Sequence, residues 1–278
     1  MSDVERFGRH IAACNNASLP GDRLAVRLDG VRLGWAARSQ AAALRELGLR
    51  QGSADGFDLT DAGQLQSLAQ ALARRGALHL RGEPFDIVAS PGGPSLGRID
   101  RGALPCFGLL AAGVHVNGLV ERADGPYLWI GRRAADKALD PGKLDHLIAG
   151  GIPAGLSIAE TLAKEGDEEC SLPPELAARA VPVCTITYSM QRPEGLRRDL
   201  LHCHDLVLPP DWTPLPKDGE VAEFTLLPLG QVFQTVRDTD DFKFNVNLVL
   251  IDLFLRRGLI DPASADGQRL RAGLTGAL

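Results

Sequence analysis

The run from Ala149 to Leu172, AGGIPAGLSIAETLAKEGDEECSL, constrains this chain more than any other stretch. Gly150, Gly151 and Gly155 lead into a segment with helical spacing that holds Glu165, Glu168 and Glu169. Positions i, i+3 and i+4 fall within one turn on one helix face. Three carboxylates held together repel one another unless a cation neutralises them. Oxygen donors of this kind suit Mg²⁺, which takes one or two carboxylates together with water and substrate phosphates. The pattern therefore points to a divalent-metal site on a helix that faces a phosphorylated ligand. The competing reading is a solvated acidic face, the usual fate of charge runs on helices. Three features weigh against it. Lys164 is spaced i,i+4 from both Glu160 and Glu168 and can hold either carboxylate. Ala159, Ala163, Gly166 and Cys170 form a small-residue stripe that lets the helix approach a sheet. The preceding glycines permit a tight turn beside the helix N-terminus.

These residues resemble a Nudix box, G-x5-E-x7-R-E-U-x-E-E-x-G-U, in which U is a bulky aliphatic residue. Gly150 fits the leading glycine, Glu165 the Glu after the Arg, Glu168 and Glu169 the acidic pair, and Leu172 the closing aliphatic. Leu156 stands in place of the early Glu, Lys164 of the Arg, Gly166 of the aliphatic and Ser171 of the late glycine. The resemblance implies Mg²⁺ or Mn²⁺ held by Glu165, Glu168 and Glu169, and metal-assisted hydrolysis of a diphosphate. It implies catalytic roles for Glu165 and Glu169, with Glu220 on a later loop as a further candidate base. Gly150, Gly155, Glu160 and Lys164 would shape the box, with Glu160 pairing to Lys164 in place of the missing early Glu.

Composition narrows the partners. The 278 residues carry a net charge of −5, which provides no bulk attraction to nucleic acid or to an anionic membrane. No apolar run reaches the roughly 18 residues that a spanning helix needs. The N-terminus, MSDVERFGRH, lacks an apolar signal core. The 5 cysteines are scattered without a C-x-x-C pair, which argues for free thiols. Together these lead to the expectation of a cytoplasmic protein with no nucleic-acid or membrane partner; the resemblance implies a small-molecule diphosphate as substrate, and a homodimer is compatible with both.

Along the chain, residues 1–106 read as a mixed α/β extension and 107–278 as the domain carrying the box. A short helix is expected around Phe7 and Ile11, one strand over Arg23 to Val31, and a helix over Ser39 to Leu47. A second helix is expected beyond Thr60 or Asp61, and an extended segment over Ala77 to Val88, broken at Gly82 and Pro84. His79 and Arg81 read as ordinary surface or packing residues. Gly113 to Val120 and Pro126 to Gly131 form a hairpin, with His115 on a face that could line a ligand cleft. Arg132, Arg133, Lys137 and Lys143 are candidates to ground substrate phosphates. Further strands are expected over Val181 to Met190, Leu200 to Leu208 and Val221 to Leu227. His202 and His204 share a strand face, but no second ligand pair supports zinc. Phe244 to Arg257 reads as a buried helix stopped by Gly258.

The order of these elements is similar to a Nudix fold, an α/β/α sandwich around a mixed sheet, over about residues 107 to 260. The segments LWIGRR, DPGKLD, AGGIPAGLS, ETLAKE, EECSLP and DGEVAEF also resemble a Nudix subgroup that carries an N-terminal extension, like the Nudix half of fungal thiamine pyrophosphokinase fusions. That resemblance implies thiamine diphosphate, or its oxidised analogues, as substrate and the monophosphate as product. A nucleoside diphosphate derivative, or a binding role without catalysis, are the competing readings.

Overall fold

The computed structural model describes residues 3–52 and 56–278. It is a mixed α/β protein with two large hydrophobic cores and a third, smaller cluster among the described residues. In chain order the elements begin with α1 (Asp3–Cys14), β1 (Arg23–Leu28), β2 (Val31–Ala37), α2 (Ala41–Glu46), β3 (Arg50–Gln51), β4 (Gly56–Leu59) and α3 (Gly63–Arg74). They continue through β5 (Pro84–Ile87), β6 (Gly97–Asp100), β7 (Leu110–Arg122), β8 (Gly125–Arg133), β9 (Leu144–Asp145), β10 (Ile148–Gly151), α4 (Ile158–Cys170) and α5 (Pro174–Ala177). The chain closes with β11 (Val181–Arg192), β12 (Gly195–Val207), β13 (Val221–Pro228), α6 (Leu229–Asp238), α7 (Val246–Arg256) and α8 (Ala265–Gly273).

The smaller of the two large cores lies under the sheet ordered β2-β1-β4-β3 and takes in the β5–β6 hairpin. Two sequence expectations change here. The stretch from Arg23 to Val31 is not one strand, because Asp29 and Gly30 adopt φ of 51° and 79° and turn the chain into β2. An Asp-Gly pair with both residues at positive φ is the turn whose twist matches a hairpin. The segment expected from Ala77 breaks at Gly82, φ 75°, as expected, but it is regular strand only from Pro84 to Ile87.

The larger sheet follows the path β11-β12-β7-β8-β13, with β10 on β7 and β9 on β8. The β7–β12 pair is parallel and the other pairs are antiparallel, so the sheet is mixed. Strand alternation sends Leu119, Leu128, Ile130 and Leu201 to one face, where they pack with α6, α7 and α8. Val116, Val120, Trp129 and Leu206 go to the other face, against α4. The result is a sheet between helical layers. Helix α7 is buried at every position from Val246 to Leu255, as expected of a helix that is apolar on nearly every side, with Asn247 and Asp252 the polar exceptions. Helix α1 departs from the expected layout. Its Val4, Phe7, Ile11 and Cys14 enter this larger core rather than the smaller one.

Candidate functional site

Helix α4 begins with a reciprocal cap. Ser157 accepts from the Glu160 N–H at 3.2 Å, and the Glu160 carboxylate accepts from the Ser157 N–H at 2.8 Å. The expected Glu160–Lys164 pair therefore does not form, because Glu160 is spent on its own helix end. Lys164 instead reaches Glu165 at 3.1 Å and also bridges to Glu168. At the other end Ser171 takes φ 56°, the left-handed conformation that a glycine adopts most easily. Its hydroxyl donates to the Leu215 carbonyl at 3.0 Å.

The glycines of β10 matter for space rather than for turning. A Cβ on Gly150 would lie 2.4 Å from the Glu165 carboxyl carbon. Only Gly155, at φ 82°, needs the freedom of a glycine backbone. On the helix face behind, Gly166 lets α4 approach Ile148 and Leu172. The strand and helix are thus close enough for Glu169 Oε2 to accept from the Ala149 N–H at 3.0 Å.

The three box glutamates are not equivalent. Glu168 is exposed and paired with Lys164. Glu165 is half-buried, and burial raises its carboxyl above the ordinary range, with Lys164 opposing and the charges of Glu168 and Glu83 adding repulsion. Glu169 is buried, and burial pushes its carboxyl up to about 8, with Asp145 and Glu165 adding to the shift and the Ala149 hydrogen bond opposing it. Repulsion that Lys164 only partly relieves is what a divalent cation would remove, so the oxygen-donor set fits Mg²⁺ or Mn²⁺.

A crevice beside Glu169 is lined by Arg133, Asp145, His146, Ala149, Glu220 and Val221. Glu220 is therefore brought to the same place as Glu169, although 51 residue positions separate them in sequence. It is ion-paired with Lys137. Its pKa is lowered, because Lys137, Arg101 and Arg133 together outweigh burial.

The basic residues nominated from the sequence are already engaged. Arg133 donates to Asp145 at 2.8 Å and to the carbonyls of Leu139 and Asp140. Arg132 pairs with Glu223 at 2.9 Å and reaches the Gly142 carbonyl. Lys143 donates to the Asp240 carbonyl. His115 is enclosed, 3% exposed, with its Nδ1 3.0 Å from His146 Nδ1. It does not line an open cleft, because Asn245, just before α7, stands 3.5 Å from its Nε2.

Among the described residues, His115, Asp145 and His146 are a group whose ligand atoms all lie within 4.8 Å of one another. A cation gains little there. Asp145 already carries Arg133 at 2.8 Å and Lys243 at 3.2 Å, and burial is more than offset, so its carboxyl is held well below the usual range. Burial also lowers His146 to about 4, and its Nε2 has no partner within the protein.

Which N-terminal residues meet the site is not legible in the sequence. Gly155 N–H donates to Asp86 at 2.8 Å, and Ala154 N–H to the Pro84 carbonyl at 2.8 Å. A Cβ on Gly151 would lie 2.6 Å from the Phe85 ring and 3.4 Å from the Arg101 guanidinium carbon. The β5–β6 hairpin thus forms a wall of the glycine strand. No local pattern announces this, because hairpin and strand meet only through tertiary packing.

No family model matches the chain. Nudix hydrolase 24, chloroplastic, of Arabidopsis thaliana is 45% identical over 185 residues, which cover 66% of this chain and 51% of that protein. Nudix hydrolase 20, chloroplastic, of the same plant is 41% identical over 186 residues, covering 67% and 50%. The chain thus spans about half the length of the curated relatives it matches. Among solved structures, DR0079 of Deinococcus radiodurans is similar at 20% identity and a TM-score of 0.46, covering 60% of this chain and 97% of that one. The expectation of a cytoplasmic protein is overturned by the two plant relatives, both of which are chloroplastic. Free cysteines are compatible with any reducing environment, and that does not single out the cytoplasm. Over about two thirds of its length, the chain is a homologue of the Nudix hydrolases.

Proposed function

We propose that the chain is a metal-dependent hydrolase of a phosphoric anhydride, cleaving a small-molecule diphosphate. The observation that carries this reading is the convergence of Glu165 and Glu169 on the glycine strand, with the carboxyl of Glu169 raised to about 8. Burying an acid in that state costs stability, and a bound divalent cation offsets the cost. Mg²⁺ or Mn²⁺ held there by Glu165, Glu168 and Glu169 supplies charge neutralisation for phosphate oxygens and acidifies a water. The protein's own residues supply the rest. Lys164 ion-pairs with Glu165 and Glu168 and orients both carboxylates, and the Ala149 N–H fixes the Glu169 carboxyl. Glu220, on the rim of the crevice, is a candidate to accept a proton from attacking water, with Lys137 keeping it ionised.

For the substrate, the proposal is thiamine diphosphate or an oxidised analogue, on the strength of the LWIGRR, DPGKLD and AGGIPAGLS segments. Turnover of a panel of diphosphates with Mg²⁺ tests both levels. Equal turnover of ADP-ribose or deoxynucleoside triphosphates overturns the thiamine assignment. Glu168→Gln and Glu169→Gln should each lower kcat by orders of magnitude. Full activity in both variants overturns the metal site.

A further inference from the structure

We propose that Arg101, supplied by the N-terminal residues, is the guanidinium that receives the anionic phosphate of the substrate. This deepens the diphosphate reading and rests on it. The first support is elimination. A diphosphate needs cationic donors, and three basic residues at the end of β8 and just after it are occupied. Arg133 is held by Asp145 and two carbonyls, Lys137 by Glu220, and Arg132 by Glu223.

Arg101 is held differently. Its Nη1 donates to Glu83 at 2.8 Å, and its guanidinium carbon sits 5.5 Å from the centre of the Phe85 ring. Its backbone N–H donates to the Glu83 carbonyl at 2.8 Å. Among the described residues its side chain donates to Glu83 alone, so most of the fork is uncommitted. The side chain is 39% exposed and lies 3.4 Å from where a Cβ on Gly151 would stand. Position and orientation are therefore fixed while donors remain free, which is the arrangement that binds phosphate bidentately.

A second arginine of the hairpin, Arg98, paired with Asp86 at 3.7 Å, stands near the same loop. Arg98 stands 3.3 Å from the Cβ position of Gly155, one residue beyond the Ala154 that bonds to Pro84. Burial lowers the pKa of Arg81, and the charge of Arg101 adds to the shift. Arg101 also acts on Glu220 and Glu83 on Glu165, so the pair flanks the carboxylates from the N-terminal side.

The test is calorimetric binding of methylenediphosphonate with Mg²⁺, beside steady-state hydrolysis of the diphosphate panel. Arg101→Ala should raise Kd and KM about tenfold while kcat changes less than about threefold. Arg101→Lys, which keeps charge but not the fork, should fall between. Arg101→Gln serves if the alanine variant melts early, because it preserves the side-chain stem that packs on Phe85. A Kd within twofold of wild type in a folded Arg101→Ala or Arg101→Gln protein overturns the inference, as does a wild type that does not bind the probe. If the wild type binds the probe through Arg101 but hydrolyses no diphosphate, the anion site stands and the hydrolase reading fails.

Discussion

Glu169 Oε2 accepts a hydrogen bond from the backbone N–H of Ala149 at 3.0 Å, which ties the acidic helix to the glycine strand. The same burial that makes this contact pushes the carboxyl up to about 8 from 4.5. The folded state therefore holds a proton that the unfolded chain has released, so this residue costs stability as pH rises from 4.5 toward 8. Glu169→Gln keeps an acceptor for Ala149 and removes the ionisation. In urea titrations without divalent cation, the variant should exceed wild type by about 1–3 kcal/mol at pH 8 and match it near pH 5. Equal stability at both pH values would refute the burial argument.

The two neighbouring glycines of β10 should respond differently to alanine. At Gly150 the new methyl meets the mobile carboxyl end of Glu165, so stability should change by under about 1 kcal/mol. Activity should fall about tenfold or more, because that carboxylate moves. At Gly151 the methyl meets the ring of Phe85, which is 3% exposed, and the expected loss is about 1–3 kcal/mol. Thermal melts with parallel kinetics decide it. A Gly150→Ala protein with full activity would show that Glu165 is not held where the site needs it.

Asp145 neutralises two buried cations at once, Arg133 and Lys243, whose side chains are 12% and 10% exposed. Asp145→Asn leaves both without a counter-charge. Breaking a buried pair from one side costs about 3–5 kcal/mol. Denaturant midpoints should show that loss, and an Asp145→Asn protein as stable as wild type would mean that water screens the cluster.

His146 sets an acid limit. Its pKa is lowered from 6.5 to about 4, mainly by burial, so below 6.5 the unfolded chain takes up a proton that the folded chain refuses. Stability is retained above 6.5 and lost as pH falls toward 4. His146→Gln should flatten the stability profile in that window by about 1–3 kcal/mol. An unchanged slope would place the acid sensitivity in another of the buried histidines.

The sequence by itself determined the parts of this protein whose pattern is local. Glu165, Glu168 and Glu169 fall on one helix because spacing alone brings them there. The largely apolar run of α7 and the alternating strands β7 and β8 were equally legible, because burial imposes a period on the residues. The tertiary structure decided which charges are free. Lys164 against Glu160, or Arg133 against a phosphate, looks the same in sequence, since each cation has several acids within reach. The fold assigned Glu160 to Ser157, Arg133 to Asp145 and Lys137 to Glu220. It also placed helix α1 in the larger core and set Phe85 and Arg101 against Gly151, 66 and 50 positions further on. Contacts between segments far apart in the chain depend on the packing of whole layers, and no single segment records them.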